Sequence, residues 1–331
     1  MSLMKTLLGA SAALALSSAA SVAEPGLIID LGGKFDKSFN ESAYTGAQQW
    51  IKDTGGSYKE TELQSEAQRE QSMRRMAESG ANPVVVLGFA NGSTLEAVAP
   101  DYPETMFTIV DMVVDQPNVQ SIVFREEQGS FLVGVLAAMA SKTNTVSFVG
   151  GMDVPLISKF ACGYAQGVKA VTPDAKVIVN MTGTTPSAWN DPVKGAELTR
   201  SQISQGSDVV YAAAGGTGIG VLQAAADEGV LSIGVDSNQN HLHPGSVLTS
   251  MTKRVDNAVY EAFTSFNDGT FAPGLKVMGL NNDGVGYALD SNNAELITPS
   301  MKATVDEAAQ KIISGEISVH DYASDGKCPA Y

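Results

Sequence analysis

Short apolar runs alternate with amphipathic stretches at helical spacing from residue 27 almost to the end of the chain. The run 27–31 predicts a strand, Gly32-Gly33 a turn, and 38–54 a helix. A strand-like 58–63 and a polar helix over 67–78 follow. The segment 83–88 is apolar without interruption, as a parallel strand covered on both faces requires. A short helix over 94–99 is stopped by the prolines at 100 and 103, and strands are expected at 106–110 and 121–124. A helix rich in small residues spans 128–141. The pattern then starts again: strands at 145–149, 176–181, 208–213 and 231–235 alternate with helices at 157–171, 192–205 and 218–228. The last third is less regular. It offers a strand at 246–251, a helix at 255–266, short strands at 275–280 and 284–288 that suggest a hairpin around Asn281-Asn282-Asp283-Gly284, and a closing helix over 302–314. Such alternation predicts an α/β protein with two doubly wound parallel sheets.

The first 23 residues change how the later motifs are read. Lys5 gives a small positive start, 7–20 is apolar and rich in small residues, and Ser21-Val22-Ala23 is a cleavage-type triplet. The apolar stretch is shorter than the roughly 20 residues that cross a bilayer. The expectation is an exported, soluble chain starting at Glu24. No cysteine stands at the cleavage point, so no lipid anchor is expected. Outside the cytoplasm there is no NADH or ATP pool, which discounts glycine loops as cofactor sites. With 36 acidic against 21 basic residues and a formal charge of -15, nucleic acid and anionic membrane surfaces are poor partners. Cys162 and Cys328 are the two cysteines. In an exported chain an even pair predicts a disulfide, worth about 5 kcal/mol for so long a loop on the chain-entropy picture.

In open α/β sheets, ligands lie beyond the carboxyl ends of the strands. The residues standing there are Asp36, Phe39 and Asn40 after the first strand, Gly88 and Phe89 after the third, and Asp111 after the fourth. In the second round they are Trp189, Gly216 and Asp236, with Lys253 after the late strand. An aspartate can hold a vicinal diol, flat rings can stack on a base, and Asn40 can donate and accept. Each alone fits a cap or a core residue; several polar groups converging on one cleft are costly to bury without a ligand. The loop Gly215–Gly220 lacks the spacing of a dinucleotide loop and the Lys-Ser/Thr of a phosphate loop. No nucleophile elbow and no metalloprotease motif is present. His241 and His243 with Asp236 form a weak metal candidate. A hydrolase using Asp36, Asp111 and Asp236 lacks a nearby histidine.

Several ordered motifs carry a resemblance: Asp36-Lys37-Ser38-Phe39-Asn40, Phe124-Arg125-Glu126-Glu127-Gln128-Gly129, 148–155 (FVGGMDVP), Ala214-Gly215-Gly216-Thr217-Gly218, Gly234-Val235-Asp236, and Leu248-Thr249-Ser250-Met251 with Lys253-Arg254. Together they make the mature chain resemble the basic-membrane-protein family of ABC-transporter solute-binding proteins, which includes purine nucleoside receptors. The resemblance implies a type I periplasmic-binding fold: two Rossmann-like lobes joined by a three-segment hinge. On that pattern 24–126 is lobe 1, 127–247 lobe 2, 248–282 a return to lobe 1, and 283–331 a return to lobe 2 with the tail. It implies ligand held between the lobes, with Asp236 on ribose hydroxyls, Lys253 in support, Asp111 at the base edge and Trp189 stacked on the base. Asn238 stands where the family usually has an aspartate, which leaves the sugar contacts open. The expected function is capture of a purine nucleoside by a free periplasmic monomer that hands it to an inner-membrane permease, with no catalytic residue, cofactor or metal. A free purine base or a riboflavin-like solute is the alternative ligand, and a periplasmic nucleoside-processing enzyme the alternative class.

Overall fold

The computed structural model describes residues 23–330, so the predicted leader lies outside the described residues except for Ala23. The chain opens with β1 (Gly26–Ile29), α1 (Phe39–Thr54), β2 (Lys59–Glu62), α2 (Arg69–Glu78), β3 (Val84–Leu87), α3 (Gly92–Val98), β4 (Phe107–Val110) and β5 (Val119–Phe124). It continues with α4 (Glu126–Ala140), β6 (Thr145–Met152), α5 (Pro155–Val171), β7 (Lys176–Gly183), α6 (Pro192–Ser204), β8 (Val209–Ala213), α7 (Thr217–Asp227), β9 (Leu231–Asp236) and β10 (Val247–Lys253). It ends with α8 (Val255–Asn267), β11 (Gly274–Met278), β12 (Val285–Tyr287) and α9 (Pro299–Ile313).

Two sheets result, with strand orders β11-β5-β4-β3-β1-β2 and β12-β10-β9-β8-β6-β7. The second repeats the order of the first, as the second round of the sequence pattern predicts. Every pairing is parallel except β12 against β10. Central strands such as β3 and β8 are buried along their whole length, which is why they read as unbroken apolar runs. In each sheet the order reverses beside the first strand, at β1/β3 and at β6/β8. Those reversals are the switch points where doubly wound sheets leave a crevice.

The chain passes between the lobes after β5, after β10 and between β11 and β12. Neighbouring passes are tied by backbone bonds, Arg125 N–H to Met278 O (2.8 Å) and Arg254 N–H to Gly284 O (2.9 Å). Two expectations change here. The return to the first lobe starts at Arg254 and not at residue 248, because β10 stays paired with β9 through Met251 and Thr252. The strands of the last third do not form a hairpin. β11 joins the edge of the first sheet beside β5, and β12 joins the edge of the second beside β10. Two short strands around a turn have the same period whether they pair with each other or part to two edges. Cys162 on α5 and Cys328 in the tail are bonded, with Cα atoms 5.6 Å apart.

Candidate functional site

The crevice at the first switch point is shaped by the loop between β1 and α1. Asp36 organises it. One carboxylate oxygen accepts the N–H groups of Ser38 (2.8 Å) and Glu41 (3.1 Å), and the other that of Asn40 (3.0 Å). These are the orphan donors at the start of α1, and a carboxylate satisfies them with favourable charge. The Asn40 side-chain amide donates to the carbonyls of Asp30 and Gly33, both at 3.1 Å, so its N–H groups are spent on the loop. Its Oδ1 is buried without a partner. Across the crevice, Gly88 has φ 90° and no room for a side chain: a Cβ there would lie 2.2 Å from Asp30 Oδ2. Asp30 pairs outward with Arg69 at 2.7 Å.

The second lobe offers a different wall. Leu156, Ile157 and Phe160 come from the first turns of α5, and Ala213, Ala214 and Gly215 from the end of β8. Trp189 packs its indole against Gly151, where a Cβ would strike the ring at 2.1 Å. Val235 and Asp236 end β9, and Lys253 ends β10. Asp111 and Asp236 both hold left-handed backbone angles, φ 73° and 61°. Non-glycine residues in that region cluster at functional sites. The facing loops also touch directly: Ser38 Oγ donates to Asp236, Ser237 Oγ to Ser38 O (3.0 Å), and Gln239 Nε2 to Lys37 O (2.9 Å). About 620 Å³ between the lobes is free of protein atoms, counting the part open to solvent.

The floor of this space is a buried ion array. Lys253 Nζ lies 2.7 Å from Asp111 and 3.1 Å from Glu126, and within 5.0–5.5 Å of the ring centres of Phe39, Phe124 and Phe160. Burial drives the Lys253 ammonium towards its neutral form, but Asp111, Glu126 and Asp236 together outweigh it and hold the charge firmly. Burial pushes Asp36 up to about 7, against its three N–H donors and with some repulsion from Asp236. Burial also raises Asp111 and Asp236, with Lys253 opposing in both. Glu126 is the exception: burial acts to raise it, but Lys253 and Lys159 hold it below the usual range. Asp111 Oδ1 remains without a hydrogen-bond partner.

Of the residues expected from the sequence, Asp36, Phe39, Asn40, Gly88, Phe89, Asp111, Trp189, Asp236 and Lys253 line one cavity. Gly216 does not; Gly215 takes its place, and Gly216 sits beside the wall between Trp189 and Asp36. Asp30 and the apolar group Leu156, Ile157 and Phe160 were missed. Asp30 was hidden inside an apolar run read as ending at residue 31, whereas β1 ends at Ile29. An acid closing an apolar run is the signal that would have found it, as it did for Asp111 and Asp236. His241 turns its ring to the Asn238 carbonyl (3.1 Å). Among the described residues no group of acids, histidines or cysteines could hold a metal, and no helix is long and apolar enough to cross a membrane.

The chain is 36% identical to the CD4+ T-cell-stimulating antigen of Listeria monocytogenes, over 88% of this chain and 87% of that one. It is 33% identical to the ABC transporter nucleoside-binding protein BmpA of Lactococcus lactis, over 88% of each. An uncharacterized lipoprotein of Pyrococcus abyssi is 33% identical over 79% of this chain and 68% of its own length. The crystal structure of an ABC transporter solute-binding protein from Aeropyrum pernix superposes with a TM-score of 0.83 at 28% identity, covering 90% of this chain and 93% of the other. The fold is therefore the two-lobed type I periplasmic-binding architecture. Residues 26–323 match the family model of PnrA-like ABC transporter substrate-binding proteins, and the chain belongs to that family.

Proposed function

We propose that this receptor captures a purine nucleoside between its lobes and delivers it to an ABC permease, as an exported monomer without a lipid anchor. The observation that carries the reading is the polarity of the cavity along its length. The inner end gathers Asp111, Asp236 and Lys253 around apolar side chains. Paired acids beside a cation suit the hydroxyls of a ribose. The outer end presents Asp30 and the rings of Phe89 and Trp189, with Asn40 Oδ1 buried and unpaired beside them. A flat heterocycle with donors on its edge suits that end. On this reading Asp111, 2.7 Å from Lys253, belongs with the sugar, and Asp30 takes the base-edge role that the resemblance gives to Asp111. The nucleoside-binding name of the Lactococcus relative supports the same class.

Mass spectrometry of small molecules released from the purified protein tests the ligand, and the intact mass tests a lipid-free start at Glu24. Isothermal titration tests the sugar role. A buried hydrogen bond to a charged group is worth about 1.5–3 kcal/mol, so Asp236→Ala is expected to weaken nucleoside binding roughly ten- to a hundredfold. Affinity for the free base is expected to change little, and equal losses for both would remove the sugar assignment. Recovery of intact nucleoside after incubation is expected, since capture and delivery make and break no bond.

One observation favours a longer, riboflavin-like ligand. A polar groove lined by Arg69, Ser93, Thr94, Thr184 and Thr185 shares Asp30, Leu31, Phe89 and Trp189 with the cavity and continues it outward. A thermal-shift panel of nucleosides, bases and riboflavin separates the two readings.

A further inference from the structure

Lys253 is one ammonium set among three carboxylates, and its position depends on how their pull is shared. Glu126, at the start of α4 in the first hinge pass, is divided between two cations. Its Oε1 lies 3.1 Å from Lys253, and its Oε2 lies 2.8 Å from Lys159 on α5. Lys159 also donates to the Phe124 carbonyl at 2.9 Å, holding the end of β5 where the chain leaves the first lobe. Phe124 and Phe160, the residues flanking these contacts, are two of the rings around the Lys253 ammonium.

The array does not stop at Lys159. Behind it stand Glu127 at 3.6 Å and Asp321 at 3.7 Å. Asp321 belongs to the C-terminal tail, and two devices hold that tail on α5. One is the Cys162–Cys328 bond. The other is Gln166, whose side chain accepts the His320 N–H (2.8 Å) and donates to the His320 carbonyl (3.0 Å). A line of alternating charge thus runs from Asp111 in the cleft, through Lys253, Glu126 and Lys159, to the stapled tail on the far side of α5.

We infer that Lys159 is a positioning residue for the ligand site and that the stapled tail is its rear support. The inference rests on the reading that Lys253 meets the ligand. Without Lys159, Glu126 loses one of its two cations in a place with little water. Its charge then falls on Lys253 alone and draws that ammonium away from Asp111 and the cavity. An ion pair behind the cleft fixes a side chain in its wall, and a covalent bond between residues far apart in sequence holds that pair together.

The test follows the Lys253 ammonium itself, by its side-chain 15N resonance in the full mature protein, assigned with Lys253→Arg. Nucleoside affinity is measured by calorimetry beside it. Lys159→Met is expected to move the resonance and to weaken nucleoside binding about tenfold, in the range of couplings between residues of one network. Lys159→Arg is expected to restore most of both. Asp321→Asn, at the partly exposed end, and Cys162→Ser with Cys328→Ser are expected to shift both readouts in the same direction by about twofold in affinity. These variants carry the test if Lys159→Met fails to fold. An unmoved resonance in every variant overturns the inference, as does an Arg variant no better than the Met variant. If the resonance moves while the unmodified protein binds no nucleoside, the positioning role stands and the nucleoside reading falls.

Discussion

The two lobes share a strand order and use it differently. In the first, the loop from β1 to α1 is long and polar, and its own hydrogen bonds assemble it: Asp36 gathers three N–H groups and Asn40 ties two carbonyls. In the second, the equivalent step from β6 to α5 is short and presents Leu156, Ile157 and Phe160. The first lobe therefore supplies fixed polar groups, and the second a mostly apolar cover with Asp236 and Lys253 at its edge. A preassembled polar face loses little entropy when it grips a ligand, whereas an apolar cover gains by excluding water when it closes. On the proposed reading, a ligand touching both sides would stabilise the arrangement in which the lobes meet.

The largest expected effect comes from the cation that lets the acids of the first lobe be buried. Lys253→Met leaves Asp111 without its cation and Glu126 with Lys159 alone, and breaking a buried ion array in this way costs about 3–5 kcal/mol. A marked fall in the denaturation midpoint is expected, with part of it recovered when Asp111→Asn is added. If the single variant is as stable as the parent, the burial of the acids does not depend on the second lobe. A smaller effect is expected from the cover. Trp189→Ala removes the ring over Gly151 and should weaken ligand binding by about 1–3 kcal/mol, the worth of a base stacked on an aromatic ring by alanine substitution. Stability should change less, because the ring is only half buried. A loss of stability larger than the loss of affinity would make Trp189 a core residue of the second lobe and not part of its binding face.

Much of this is legible in the sequence, for reasons that differ between lobes. Parallel strands buried on both faces must be apolar, so β3 and β8 announce themselves, and the acids that close such runs mark the cleft. Asp111 and Asp236 are found that way. The apolar cover was not legible: Leu156, Ile157 and Phe160 have the spacing of any helix face turned to a core, and nothing in their chemistry distinguishes a wall from an interior. The ion array was half legible. Glu126 and Glu127 stand in the family-like run 124–129, but their partner Lys159 lies on another helix, and sequence carries no sign of a pairing made only by packing α4 on α5. The split of β11 and β12 to separate edges was hidden for the same reason.

The smallest effect tests how the facing loops of the two lobes meet. Asp36 and Asp236 are both buried and repel one another, and burial holds Asp36 at about 7 against an ordinary value of 3.8. A carboxyl whose folded value is raised takes up protons on folding, so it lowers stability as pH rises from about 4 to about 7, and its penalty is constant above that. The three N–H groups on Asp36 already oppose burial in that value, as donation from Ser38 opposes it at Asp236. The fall in stability between pH 6 and pH 8 is expected to be about 1–1.5 kcal/mol, read from denaturant titrations across that window. Asp36→Asn should remove much of the slope. It should also lower stability uniformly, because an amide nitrogen then faces one of the N–H donors that the carboxylate satisfied. A slope unchanged in the variant would mean that Asp36 stays ionised throughout, held by the start of α1 alone. The first lobe's loop would then be indifferent to the acid that the second lobe brings against it.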